Sequence, residues 1–262
     1  MSSSPFGTDH TTPSSDRVPD GDGGCVVWHC RQLRTTDHPV LAYAEREYDR
    51  VLPMFVFDPT FYGADGLACD ARIRFMHESV ADLAAQYADR SGALTLAHGD
   101  PIAVLRSLRD AGWDIATTAD PTGRYGLRRD NAAAETCDVT FIDADGLVRN
   151  TAHSRENWSD NVEAWLTDEQ ATWDETAVEL THIETPVSVD AIEARYSVAP
   201  DKTIERRGGT AAAWAAAESF ADRLSAYPGR ISAPSDARTG TSQLSPYLRF
   251  GCVSVRQVYQ FI

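Results

Sequence analysis

Lysine is nearly missing from this chain of 262 residues: Lys202 is the only one, and every other basic residue is arginine. The 24 basic residues face 39 acidic ones, for a formal net charge of −15. A GC-rich genome explains Arg in place of Lys but not the carboxylate excess, so the pair reads as a surface adapted to very high salt. Phosphate attraction falls steeply with salt. A nucleic-acid partner would then be held by shape, stacking and hydrogen bonds, and net acidity does not exclude DNA.

Long apolar runs are missing too. None approaches the roughly 20 residues needed to cross a bilayer. The Ser/Thr/Asp/Gly/Pro-rich start has neither the basic nor the apolar region of a signal peptide. These absences predict a cytoplasmic protein with no membrane partner, and a monomer is expected. The cysteines (Cys25, Cys30, Cys69, Cys137, Cys252) are odd in number and form no C-x-x-C pair, which argues for buried thiols rather than disulfides or a metal site.

What is present is an alternation of short apolar runs and amphipathic stretches. Residues 1–24 are polar and aperiodic and are expected to be disordered. Residues 25–30 and 51–57 read as buried strands, with a helix between them behind Asp37 as N-cap. A long helix is expected from Asp70 to Ala88. Residues 93–97, 114–118 and 139–142 give three more strands. Asp100-Pro101 opens a helix as N-cap and first helical residue, and a polar helix lies near 124–136. Strands alternating with helices predict an α/β fold with a doubly wound parallel sheet, over residues 25–145. Residues 146–205 read as an interdomain connector that packs locally. The segment 206–262 is helical, with one helix from about Thr210 to Ala226 burying Trp214, Ala217, Ala221 and Leu224.

The last segment carries the chemistry. Thr241-Ser242-Gln243-Leu244-Ser245-Pro246 places hydroxyls beside a helix start, and Ser254 with Gln257 fits a capping box. Free N–H groups, hydroxyls and a positive helix end can hold a pyrophosphate. On spacing alone, plain helix capping is the stronger account. His29 and His38 near Asp37 match no metal-ligand spacing and read as core or surface histidines. Gly208-Gly209-Thr210 reads as a helix start, Arg128-Arg129 as a solvated helix face, and Trp158, Trp165 and Trp173 as packing anchors.

Thr241-Ser242-Gln243-Leu244-Ser245-Pro246-Tyr247-Leu248-Arg249-Phe250-Gly251, followed by Ser254-Val255-Arg256-Gln257-Val258, resembles the flavin-binding signature of the photolyase/cryptochrome family. Val27 to Arg34 with Asp37 to Leu41 is similar to that family's first strand and first helix. The pattern Arg72, Phe75, Glu78, Ser79, Val80, Asp82, Leu83 resembles its long helix. Gly99-Asp100-Pro101 and Arg129-Asp130 also have counterparts. The resemblance covers roughly residues 25–145 and 205–262.

The resemblance implies a Rossmann-like antenna domain followed by the beginning of an all-α FAD-binding domain. It implies light-driven electron transfer from reduced FAD to a cyclobutane pyrimidine dimer flipped out of damaged DNA. Carried over by position, Thr241, Ser242, Gln243, Leu244 and Ser245 would contact the FAD phosphates and ribityl chain. Tyr227 would be a further flavin contact, or else packs on Trp214 or Leu224. A second antenna chromophore of unidentified type is also implied. Gly126, beside Tyr125, offers no carboxylate where folate-using members have polar or acidic contacts. Cys30 and Gln32 replace the Arg and Asp usual in the family.

The isoalloxazine-facing residues, tryptophan chain and DNA groove of the family have no counterpart before Ile262. The expectation is therefore weak FAD retention and no repair if the chain is complete. A cryptochrome-like photoreceptor and an inactive truncated α/β module are the competing readings.

Overall fold

The computed structural model describes residues 18–119, 123–144, 157–201, 206–229 and 240–262. The apolar runs become strands β1 (Gly24–His29), β2 (Arg50–Phe57), β3 (Thr95–His98), β4 (Asp114–Thr118) and β5 (Thr140–Ile142). They pair in parallel in the order β3-β2-β1-β4-β5. Alternate side chains leave a strand on opposite faces, and both faces are covered. Val27, Phe55 and Phe57 join Leu41 of α1 (Pro39–Glu47) and Ile73, Val80 and Leu83 of α2 (Asp70–Ala88). Val26, Trp28, Leu52 and Met54 join Leu105 and Leu108 of α3 (Pro101–Asp110) and Ala133 of α4 (Arg124–Cys137). The expected doubly wound α/β architecture is present.

A sixth strand was not anticipated. β6 (Glu179–Leu180) pairs in parallel with Arg50 and Val51 of β2, while β3 pairs with residues from Met54 onward. The carbonyls of Asp49 and Val51 accept from Glu179 and Thr181, so odd-numbered residues of β2 face this edge. Pro53 therefore turns its missing N–H into the gap between β6 and β3. That explains how a proline sits inside a central strand, where it would otherwise break the ladder.

Beyond β6, Val187, Ile192 and Val198 enter the α/β core, with Ile192 on α6 (Val189–Tyr196). The indole of Trp173 donates to the Thr35 carbonyl at 2.8 Å. The connector thus builds part of the core, which local packing alone did not predict. Trp165, on α5 (Trp158–Thr167), has the Arg256 guanidinium 4.4 Å from its ring. Trp158 is exposed.

The N-terminal tail is ordered sooner than expected. Val18 is buried, the Gly21 amide donates to Ala111, and the Trp113 indole donates to Pro19. Residues 1–17 lie outside the described residues. Cys25, Cys137 and Cys252 are buried as expected, but Cys69 is exposed and Cys30 half-buried. Desolvation pushes the Cys25 thiol up to about 12.

The helical segment comprises α7 (Thr210–Ala221), a 3-10 turn at Leu224–Gly229, α8 (Ser245–Phe250) and α9 (Val255–Phe261). α7 is shorter than expected and buries Ala213, Ala217 and Phe220; Leu224 is exposed and Trp214 half-buried. The first N–H of α7 has no partner within its own helix, and it and the two amides before it find partners on α2. Gly208 donates to Glu78, Gly209 to Ser79 and Thr210 to Asp82. A Cβ on Gly208 would sit 2.3 Å from the Phe75 carbonyl oxygen. The Glu78-Ser79-Asp82 pattern thus serves as a helix cap supplied by another helix, and Gly208-Gly209 is a helix start.

Asp37 does not cap α1. His38 does, its Nδ1 accepting from Leu41 at 3.2 Å. Asp37, with φ +45, accepts instead from the Ser254 hydroxyl at 2.5 Å and from the Ala171 amide at 2.9 Å. Ser254 also completes the expected capping box with Gln257. Leu33 donates to the Phe250 carbonyl at 3.0 Å, and Arg34 donates to the Gly251 carbonyl at 3.0 Å. The helical segment is therefore stitched to the loop after β1 by one backbone pair and one guanidinium.

Candidate functional site

Two places carry chemistry. The first is the expected segment 241–245. The side-chain amide of Gln243 donates to the Thr241 hydroxyl and its carbonyl accepts from Arg206. The Leu244 amide donates to the Ser242 hydroxyl at 3.4 Å. Gln243 has φ +60, which turns the chain tightly around this group.

Leu244 is buried against Phe75, Ala217 and Val253, so only its backbone is available to a ligand. Ser245 does not cap α8; it is the first helical residue, behind Leu244 as N-cap, and it is exposed. The Ser254 helix start is spent on Asp37, so it cannot supply the second positive end to a phosphate. Tyr227 packs edge-on against Phe220, centroids 5.2 Å apart. The structure brings Thr241, Ser242, Gln243 and Arg206 together as one polar cluster.

The second place is a cavity of about 320 Å³ outside the carboxyl ends of β1 and β2. The sheet order reverses between β1 and β4, and open α/β sheets bind ligands at such a switch point. Its aromatic lining includes Trp28, Phe61, Tyr62 and Tyr125. Five arginines (Arg31, Arg72, Arg124, Arg129, Arg249) also line it, against one carboxylate, Asp58. Asp58 is already engaged: it accepts from the Thr60 amide at 2.8 Å and from the Tyr125 hydroxyl.

Arg129 is not the solvated helix-face residue expected. Its side chain is 9% exposed, with the guanidinium 5.0 Å over the Trp28 ring and 5.8 Å from Tyr125. Burial alone would lower its pKa, but Cys30, Asp130 and Tyr125 outweigh that and hold it above the ordinary value. Desolvation, and then the bond to Asp58, hold the Tyr125 phenol up, so it stays neutral. Cys30, in the position where the family has Arg, bonds the Thr117 hydroxyl at 3.2 Å.

Tyr125 and Gly126 were the only lining residues that sequence reasoning had tied to a second chromophore. Trp28, Tyr62 and Arg129 could have been found from the strand order, because each lies on β1 or after a strand's carboxyl end. His29 and His38 are core histidines, and no metal-holding group is found among the described residues. No helix among the described residues is long and apolar enough to cross a membrane.

The family model for DNA photolyase matches residues 25–159, just over half of the chain. The chain belongs to the DNA photolyase family. Within it, this photolyase-family chain is 27% identical over 264 residues to a deoxyribodipyrimidine photo-lyase of Halobacterium salinarum, covering 90% of this chain and 53% of that protein. It is 37% identical over 87 residues to a cryptochrome DASH of Natronomonas pharaonis, covering 32% of this chain and 18% of the relative. The fold matches an archaeal photolyase of Sulfolobus tokodaii, crystallised with two FAD molecules, at a TM-score of 0.67 and 22% identity. That match covers 91% of this chain and 54% of the other. The photolyase-family chain spans about half the length of the curated photo-lyase it matches along most of its length.

Proposed function

We propose that this chain carries the antenna domain and the first FAD-holding segment of a light-driven enzyme that splits cyclobutane pyrimidine dimers in DNA. The observation that carries the reading is the cavity. An aromatic slot with five guanidiniums and one engaged carboxylate, in a chain of net charge −15, selects a flat anion. A phosphorylated tricyclic chromophore such as a flavin nucleotide has that chemistry. Trp28, Phe61, Tyr62 and Tyr125 would contact its ring, and Arg31, Arg72 or Arg249 its phosphate. Gly126 brings no carboxylate to the slot, which favours a flavin over a folate.

FAD would be held by the Thr241 and Ser242 hydroxyls, the Gln243 amide, and the backbone of Leu244 and Ser245, with Tyr227 as a further contact. Two hydroxyls, an amide and the Arg206 guanidinium form a donor set suited to a pyrophosphate. When bound, FAD supplies light-driven one-electron transfer to the dimer. The chain's own part is to neutralise the phosphates and hold the cofactor in place. Damaged DNA is the partner on this reading, and the protein works as a cytoplasmic monomer on a salt-adapted surface. We divide the chain into a tail (1–24), antenna domain (25–145), connector (146–205) and first FAD-domain segment (206–262).

The visible spectrum of the purified chain with FAD and with riboflavin 5′-phosphate tests the two sites. Light-dependent repair of a dimer-containing oligonucleotide tests the activity. Repair supports the enzyme, whereas flavin photoreduction without repair supports the cryptochrome-like photoreceptor suggested by the cryptochrome DASH similarity. Neither flavin nor repair leaves an inactive α/β module. A fragment ending at residue 145 that is as stable as one ending at 201 would support the domain division. Unfolding insensitive to lowered salt would overturn the salt-adapted reading, and gel filtration as a dimer would overturn the monomer.

A further inference from the structure

Beneath the cavity lies a buried polar chain that the antenna reading does not use. Tyr62 lines the cavity and is 6% exposed. Its hydroxyl lies 2.9 Å from Nε2 of His77, whose side chain is fully buried on α2. Nδ1 of His77 lies 3.0 Å from a carboxylate oxygen of Glu193 on α6, and Arg74 holds the other carboxylate oxygen at 3.2 Å. A carboxylate only accepts hydrogen bonds, so Nδ1 carries the proton. The lone pair of Nε2 then faces Tyr62, and the phenol donates. Desolvation lowers the His77 pKa against the opposing pull of Glu193, and desolvation also holds the Tyr62 phenol up. In the resting state the proton therefore stays on oxygen.

We propose that Tyr62 is a light-driven electron donor to the chromophore in this cavity, with His77 as its proton acceptor and Glu193 as a positioning residue behind it. The inference rests on the cavity being a flavin-class chromophore site. One electron leaves Tyr62 for the photoexcited ring. The phenolic O–H bond breaks as the N–H bond forms at Nε2 of His77, leaving a neutral phenoxyl radical. The imidazolium now donates to Tyr62 and to Glu193, whose charge offsets its own. Tyr196 stacks on Tyr62 at 4.3 Å with 18° between the rings, a polarisable face against the neutral radical.

The other two readily oxidised aromatics in the lining have less suitable surroundings. Trp28 lies under the Arg129 guanidinium, which opposes a positive charge on the indole. Tyr125 has the same cation at 5.8 Å, and its acceptor is a carboxylate, ordinarily a weaker base than imidazole. A purely structural role, tying α6 to α2, would need the same hydrogen bonds but no photochemistry.

The test uses riboflavin 5′-phosphate as the probe on the full chain. Binding is followed by fluorescence anisotropy, the excited-state lifetime by time-resolved emission, and the radical by paramagnetic resonance under illumination. The expected result is a strongly shortened lifetime and a tyrosyl signal from bound probe, both lost in Tyr62→Phe when read at saturating probe. Glu193→Gln keeps an acceptor for Nδ1 but removes the charge. It should slow quenching roughly tenfold, since an opposite charge at this distance is worth about one to three pKa units. An unchanged lifetime in Tyr62→Phe overturns the donor role and leaves the cavity reading intact. Failure of the probe to bind overturns both.

Discussion

The two candidate sites differ in how they are built. The cavity is walled by side chains from β1, β2, α2, α4 and the loops after β1 and β2, closed by Arg249 and Phe250 of α8, and its single carboxylate is tied down. The 241–245 cluster is half-exposed, and its polar atoms mostly bond one another and Arg206. The first is a preorganised pocket and the second a set of donors on a turn. The long sequence signature identifies the second, yet the structure makes the first the better-formed ligand site. A signature that names a family and the place best prepared to hold a ligand need not coincide.

The sharpest way to break this comparison is at the seam between the two regions. Gly251 has φ +68, and a Cβ there would sit 2.4 Å from the backbone of Gln32. Gly251→Val should cost about 3 to 4 kcal/mol. One displaced unfolding transition shows a single cooperative unit, whereas a split transition shows that the cavity half stands alone.

Acid should strike the cavity half next. Burial lowers His29 from 6.5 to about 4, and burial likewise lowers His38 well below its ordinary value. Between those pH values the unfolded chain binds protons that the folded chain excludes. His29 stability is therefore present above pH 6.5 and lost as pH falls towards 4, by about 3 kcal/mol at the lower limit. Denaturant titrations across that window check it, and His29→Gln should flatten the slope.

A smaller and more selective effect separates the sites by ligand. Arg129→Met should weaken riboflavin 5′-phosphate by about tenfold without changing FAD affinity. Ser242→Ala should weaken FAD by about tenfold without changing the smaller probe. Equal losses of both ligands in either variant would merge the two sites into one. Of similar size is Ser254→Ala, which removes a cap and a partner of Asp37 and should cost about 1 kcal/mol in thermal unfolding.

Local chemistry was readable and long-range partners were not. The span of α2, the Asp100-Pro101 helix start and the Ser254-Gln257 capping box follow from neighbours within four residues, and all three stand. Asp37 looked like a cap because of its position, but its carboxylate is drawn away by Ser254, some two hundred residues on. β6 is two residues long, too short for any periodicity to show. Arg129 looked solvated on its helix because the Trp28 ring that covers it belongs to another strand. In the site, Thr241 and Ser242 were legible as hydroxyl donors, whereas Leu244 is withdrawn by packing that its own segment does not announce.

β6 also sets a schedule. The edge of β2 beside Pro53 stays uncovered until residues 179–180 have been synthesised, a delay of roughly ten seconds at ordinary ribosomal rates. During that interval β2 presents a bare, apolar edge of the kind that recruits other chains. Pro53 has no N–H to offer there and blunts the edge while the nascent chain waits. Pro53→Val should leave the finished fold nearly unchanged yet raise the fraction that aggregates during synthesis, and equal soluble yields would remove that role.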